Sequence, residues 1–372
     1  MEPTRVLPLK PEACPCGNVH LGSQRMEPFY THQVIEFPEI KMGVTHYVLH
    51  RTRCRQCGRV VKAVLPRDLR SGYGPRLSAL IAEMNGIRGA SRETVQTFCQ
   101  SVLGFHISIG AIQRVIDRAS LAIRPIYEEI GRQIRQAPIN HVDETSFFQE
   151  GRLEWLWTMV NTTLAYFMVH AHRSKKAFLE LIQDWQGILI SDDYGIYRRW
   201  IEKRQSCLAH LVRRAQGLSE KKDKEIKAFG QAALDELRLL CHWAKAPPTI
   251  DEELAFYDRF VHLLLDHQER RDDAGKFSRR LLKELKSLWL FLDENGVEPT
   301  NNRAERALRF AVLWRKRSKG TQGDKGNRWM ERILTLKETC RLRSESTFQI
   351  LSQAIDSFFK EQNPNLNWIR MD

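Results

Sequence analysis

The 372-residue chain lacks any apolar run approaching the length of a membrane span. Its opening stretch, MEPTRVLPLKPEACPCG, lacks the apolar core of a signal peptide. Internal repeats and low-complexity tracts are missing too. These absences argue against a membrane partner and against a fibrous or disordered class, and the expected location is the cytoplasm. Acid is scarce beside base: 45 Asp and Glu stand against 58 Lys and Arg, a net charge of +13. That excess favours a polyanionic partner, nucleic acid first, provided the basic residues gather near a site.

Cysteine is sparse, with eight in the whole chain, and four of them fall into two close pairs. In a reducing compartment such pairs read as thiols or metal ligands, not as a disulfide framework. CPCG (14–17) and CRQCG (54–58) supply Cys14, Cys16, Cys54 and Cys57. Four thiolates make a closed tetrahedral structural zinc site, and the glycine after each pair permits the tight turn such a knuckle needs. The first pair has one intervening residue where two are usual, so His20 is the alternative ligand in place of Cys14 or Cys16. Neither pair sits in the βαβ context of a redox motif. Cys99, Cys241 and Cys340 read as core thiols. Cys207 and His210 lie one turn apart, at metal-ligand spacing, but without a second pair nearby they read as packing residues.

Four regions separate by texture. Residues 1–66 carry the cysteine pairs and two strand-like segments, QVIEF and THYVLHRTR. Residues 67–135 read as helices, with Ser91 and Ser108 as N-caps and Arg114 and Arg118 facing outward. Helix, short turn, helix suits either a DNA-reading unit or an ordinary hairpin. Residues 136–318 open with three strands in a meander, followed by the helix SKKAFLELIQDW and the short strand GILIS. An all-helical insertion spans about 215–296, and within it FSRRLLKELKSLWLFL places Leu281, Leu285, Leu288 and Leu292 on one face of a single helix. Residues 319–372 form a helical tail with an amphipathic segment, STFQILSQAIDSFF.

Two strands end in acid: HVDETSF holds Asp143, and ISDDY holds Asp192 and Asp193. An antiparallel meander followed by a parallel strand suggests a ribonuclease H-like sheet, whose first and fourth strands are neighbours. That adjacency brings Asp143 beside Asp192, and Glu305, on a later helix with Asn302 and Arg309 on the same side, is the candidate third carboxylate. Taken singly, each acid reads as a turn, cap or surface residue. Together they make sense as a site for Mg²⁺ or Mn²⁺, because unneutralised carboxylates would raise one another's pKa values. Two such ions support in-line phosphoryl displacement. Arg198 and Arg199 follow the second aspartate, and Arg303, Arg306 and Arg309 surround the glutamate, where DNA phosphates would lie.

Five ordered motifs, HVDETSF, ISDDYGIY, CLAHLVRRA, NNRAERALR and MERILTLKETCR, together resemble transposases of the insertion-sequence-66 type. QVIEFPEI followed by RTRCRQCG resembles that family's N-terminal zinc region. The resemblance implies an α/β plus α protein: a ribonuclease H-like catalytic domain interrupted by an all-α insertion, behind a zinc-binding β region and a helix-turn-helix-like DNA-binding region. It implies an aspartate–aspartate–glutamate triad at Asp143, Asp192 and Glu305 binding two Mg²⁺ or Mn²⁺ ions, with structural Zn²⁺ at the N-terminus. The implied reaction is metal-dependent DNA strand cleavage and strand transfer in a bacterial, nucleoid-associated cytoplasm. Its partners would be element ends and target DNA, a homo-oligomer on that DNA, and accessory proteins of the element. Cys207 and His210 take a supporting role beside the core. The family usually has Asp-Gly-Tyr where this chain has Asp192-Asp193-Tyr194, so Asp193 is a rival ligand to Asp192. Two other readings stay open: a catalytically inactive transposase-derived DNA binder, and a ribonuclease or resolvase on the same fold.

Overall fold

The structure is a computed structural model and describes residues 2–11, 13–17, 19, 26–200 and 202–370. The chain divides into two compact units, 1–43 and 44–372. In the first, a turn closes with Gly17 N–H donating to Cys14 O (2.8 Å), and Gly17 takes the φ of +92° that this turn requires. Residues 33–37, expected as a strand, are without regular structure, as are 44–50. Val34, Ile35 and Phe37 are exposed, and alternation alone does not make a strand without a ladder partner. In the second unit the first pairing is short, between β1 (Arg51–Arg53) and β2 (Val60–Lys62).

Four helices follow: α1 (Pro75–Gly86), α2 (Arg92–Ser101), α3 (Ile109–Ala122) and α4 (Arg124–Ile134). Ser91 and Ser108 cap α2 and α3 as expected, accepting from Thr94 N–H (3.0 Å) and Ala111 N–H (3.2 Å). The central sheet comprises β3 (Ile139–Gln149), β4 (Arg152–Val160), β5 (Ala165–His170), β6 (Ile188–Ser191) and β7 (Arg204–Ser206), with α5 (Lys175–Ile182) between β5 and β6. Its order is β5-β4-β3-β6-β7. The hairpin β3–β4 turns at Glu150 and Gly151, both with positive φ (50° and 77°), as a type I′ turn demands. β3 then pairs parallel with β6, which places the first and fourth strands of the sheet side by side.

The strand β7 was not visible in the sequence, because Arg204, Gln205 and Ser206 carry no apolar signal. All three are nevertheless buried. Partners from a helical module make that possible: Arg204 pairs with Glu284, and the Gln205 amide donates to Leu288 O (3.0 Å) and accepts from Phe291 N–H (3.1 Å). The module contains α6 (Leu208–Ser219), α7 (Lys224–His242), α8 (Ile250–His267), α9 (Asp273–Glu284) and α10 (Leu290–Asp293), around a core that includes Phe229, Phe256, Phe260 and Phe277. The single helix expected over 277–292 is broken. It stops at Glu284 and resumes at Leu290, where Gln205 bonds the interrupted backbone. Leu281 and Leu288 remain fully buried, so the apolar face survives the break.

Three helices complete the unit: α11 (Asn302–Ser318), α12 (Asp324–Leu342) and α13 (Thr347–Phe359). Helix α12 lies along the edge strand β5. Its Glu331, Thr335 and Thr339, spaced by four, accept the N–H groups of Val169 (2.7 Å), Phe167 (3.0 Å) and Ala165 (3.2 Å). One helix face therefore satisfies a sheet edge that would otherwise be left open.

Candidate active site

The β3–β6 register aligns His141 with Ile190 and Val142 with Ser191. The next residues along the two strands are Asp143 and Asp192. Val142 and Ile190 are fully buried, so the apolar core sets the register that brings the aspartates together. Glu305 stands in the first turn of α11. That turn is tied to β3 by Asn301, which is fully buried: its amide donates to Val142 O (2.9 Å), and His141 Nδ1 donates to its carbonyl oxygen (3.1 Å). Burial pushes His141 down to about 4, so its ring is neutral at pH 7.

Asp143 is held well above the usual carboxylate range, by burial first, then by the charges of Glu144, Asp192 and Glu305. The other two predicted carboxylates thus reach it electrostatically. Asp143, Glu305, Arg306 and Arg309 line one open groove of about 660 Å³. Glu305 also turns toward α6. Its Oε1 lies 3.3 Å from Arg213 Nη2 and 3.6 Å from His210 Nδ1. Among the described residues, the ligand atoms that sit within 4.8 Å of one another belong to Cys207, His210 and Glu305. The glutamate is therefore shared between two constellations, one of which the sequence did not reveal.

The two neighbouring aspartates part company. Asp192 Oδ1 accepts the Tyr194 N–H (2.9 Å) at the end of β6, whereas Asp193 pairs with Arg280 of α9 and approaches Arg198 (3.9 Å). Two cations thus engage Asp193. Glu144 is a fourth acid at the site. Its buried carboxylate accepts from Arg173 Nε (2.6 Å) and from the Tyr197 hydroxyl. Burial raises its pKa, and the Tyr197 bond and the Arg173 charge oppose that rise. Both acids of the Asp-Glu pair line the groove, and Glu144 is in addition locked to an arginine.

The predicted basic residues divide as well. Arg306 and Arg309 are exposed on the groove, and Arg198 and Arg199 are exposed beside a second cleft of about 540 Å³ that Arg280 and Lys283 also line. Arg303 is engaged by Glu298 (Nε, 3.1 Å). On α3, Arg114 is exposed, but Arg118 corrects the expectation that both face outward. It is half-buried, donates to Ser71 O (3.3 Å) and lies over the Phe359 ring (5.9 Å). Trp200 stacks on Trp185 and Trp314 on Phe147, so both are packing residues.

At the second cysteine pair, Gly58 N–H donates to Cys54 O (2.9 Å) with φ +69°. The nearby backbone N–H groups of Cys57 and Gln56 hold the pKa of the Cys54 thiol below its usual range. His20 lies outside the described residues.

Residues 70–328 match the family described as Transposase IS66 family. The matched span contains Asp143, Asp192 and Glu305 and excludes the N-terminal cysteines. Among curated proteins the chain has no match.

Proposed function

The chain belongs to the IS66 family of transposases, and from that premise we propose that it is a DNA transposase acting through Asp143, Asp192 and Glu305. The observation that carries the reading is geometric: Asp143 and Asp192 follow directly on the paired ends of β3 and β6, and Asp143 and Glu305 line one groove, where burial and the neighbouring acids also raise the pKa of Asp143. A site that resists its own ionisation fits a cation, and all three donors are the hard oxygens that Mg²⁺ and Mn²⁺ take. Bound there, a pair of such ions would activate an attacking oxygen and offset charge on the phosphodiester.

The strand order β5-β4-β3-β6-β7 supports a ribonuclease H-like catalytic domain, with the α6–α10 module as its insertion. In the proposed reaction, water attacks the phosphodiester at an element end and frees a 3′-hydroxyl. That hydroxyl then attacks target DNA and displaces a target 3′-oxygen. Asn301 and His141 hold the glutamate's helix against the aspartate's strand. Arg306 and Arg309 offer exposed guanidinium groups to phosphates on one side, and Arg198 and Arg199 on the other. α2 and α3, with Arg114, are the proposed helix-turn-helix DNA reader. Zinc on Cys14, Cys16, Cys54 and Cys57, an oligomer on DNA and accessory proteins of the element complete the proposal, in the cytoplasm.

The test is a strand-transfer assay with duplexes carrying the element's ends, a target plasmid and Mg²⁺. The wild type should cleave and join, and Asp143→Asn and Glu305→Gln should bind DNA without doing either. Binding without cleavage by the wild type would instead mark an inactive derivative, and hydrolysis without joining a nuclease or resolvase.

A further inference from the structure

Glu305 is one wall of a second donor cluster. Cys207 caps the N-terminus of α6 and is 1 % exposed, and its sulfur accepts the Asn301 N–H (3.1 Å). His210, one turn on, places Nδ1 3.3 Å from that sulfur and 3.6 Å from Glu305 Oε1. In a tetrahedral zinc site with sulfur, nitrogen and oxygen ligands, neighbouring donor atoms stand roughly 3.3–3.7 Å apart. Both distances fall in that interval without rearrangement. The donor types also discriminate: thiolate and imidazole suit Zn²⁺, whereas Mg²⁺ prefers oxygen alone. Arg213, the cation now nearest, has a side chain 63 % exposed and is free to swing into water.

We propose that Cys207, His210 and Glu305 form a Zn²⁺ site separate from the N-terminal cysteines, and that the ion held there competes with the hard catalytic ions for Glu305. Binding forms a sulfur–zinc bond, with the Cys207 thiol proton released to solvent, and a nitrogen–zinc bond through the Nδ1 lone pair of His210. A carboxylate oxygen of Glu305 is the third ligand and water the fourth. The role of Glu305 in the reaction rests on the preceding reading, but the site's existence does not.

The experiment titrates the full-length, metal-stripped protein with Co²⁺ as a spectroscopic stand-in for Zn²⁺, following thiolate-to-cobalt charge transfer and the visible bands of tetrahedral cobalt. The wild type should bind one more thiolate-ligated cobalt per chain than Cys207→Ser. His210→Ala, whose ring is partly exposed, should weaken that cobalt at least tenfold and covers the case in which the serine variant does not fold. Equal stoichiometry and affinity in the wild type and His210→Ala overturn the site. A second arm measures Zn²⁺ inhibition of the Mg²⁺-dependent reaction, which His210→Ala should relieve at least tenfold. Unchanged inhibition with the cobalt signature intact overturns the competition. A cobalt signature in an inactive wild type supports the site and overturns only the transposase reading.

Discussion

Asn301→Ala tests how the third carboxylate is held. The wild-type side chain makes two hydrogen bonds, to Val142 O and from His141 Nδ1, in a place with no exposure at all. Removing it leaves both partners buried and unbonded, at about 1–3 kcal/mol each, or roughly 2–6 kcal/mol together. Against a typical total of about 5–15 kcal/mol, the variant should still fold. The Asn301 N–H to Cys207 bond is backbone and survives. What is lost is the link between the turn bearing Glu305 and the residue before Asp143, and a displacement near 1 Å at a reacting centre costs on the order of 10²-fold in rate. Urea denaturation should show the stability loss, and the strand-transfer assay should show the rate loss while DNA binding persists. A change below about 0.5 kcal/mol with an unaltered rate would refute the claim that Asn301 couples the two elements.

Three further outcomes follow from the same structure. Glu331 is pushed up to about 7 by burial, so its contribution to stability is full below the ordinary carboxylate range and is lost as pH rises through 7. That loss is roughly 3 kcal/mol between pH 4 and 8, and Glu331→Gln should flatten the slope seen in denaturant titrations across that interval. Asp143 is raised too, with the same sign, so Asp143→Asn should raise the melting temperature of the metal-free protein at pH 8. Mn²⁺ should stabilise the wild type more than this variant. Phe260→Ala, at a fully buried position in the helical module, should cost about 3–5 kcal/mol. Hydrogen exchange should then quicken across α6–α9 more than across β3–β5, and uniform quickening would show that module and sheet unfold as one.

How far the sequence reached depended on how local the physics was. Ser91 and Ser108 were legible as caps because a cap is a bond within four residues. The meander was legible because alternation and an Asn-Thr or Glu-Gly turn are local as well. β7 was not, since Arg204, Gln205 and Ser206 are buried only by virtue of Glu284, Leu288 and Phe291, about 80 residues away. The broken helix at Glu284 has the same cause seen from the other side. The carboxylates were named by motif and order, but the sequence could not say that Asp193 would be drawn to Arg280 or that Glu144 would be captured by Arg173 and Tyr197. Those partners come from different elements, and only the folded sheet brings them within reach. Cys207 and His210 showed metal-ligand spacing, yet their third partner, Glu305, is 95 residues on from His210 and invisible to any spacing rule.

The central claim, that Asp143, Asp192 and Glu305 jointly take divalent ions, is tested most directly by anomalous diffraction from crystals of the full chain soaked in Mn²⁺. The account predicts Mn²⁺ bound by Asp143 and Asp192, with Glu305 rotated from Arg213 to complete the shell, and loss of that density in Asp143→Asn. Mn²⁺ absent from the two aspartates, with Glu305 still paired to Arg213, would contradict it.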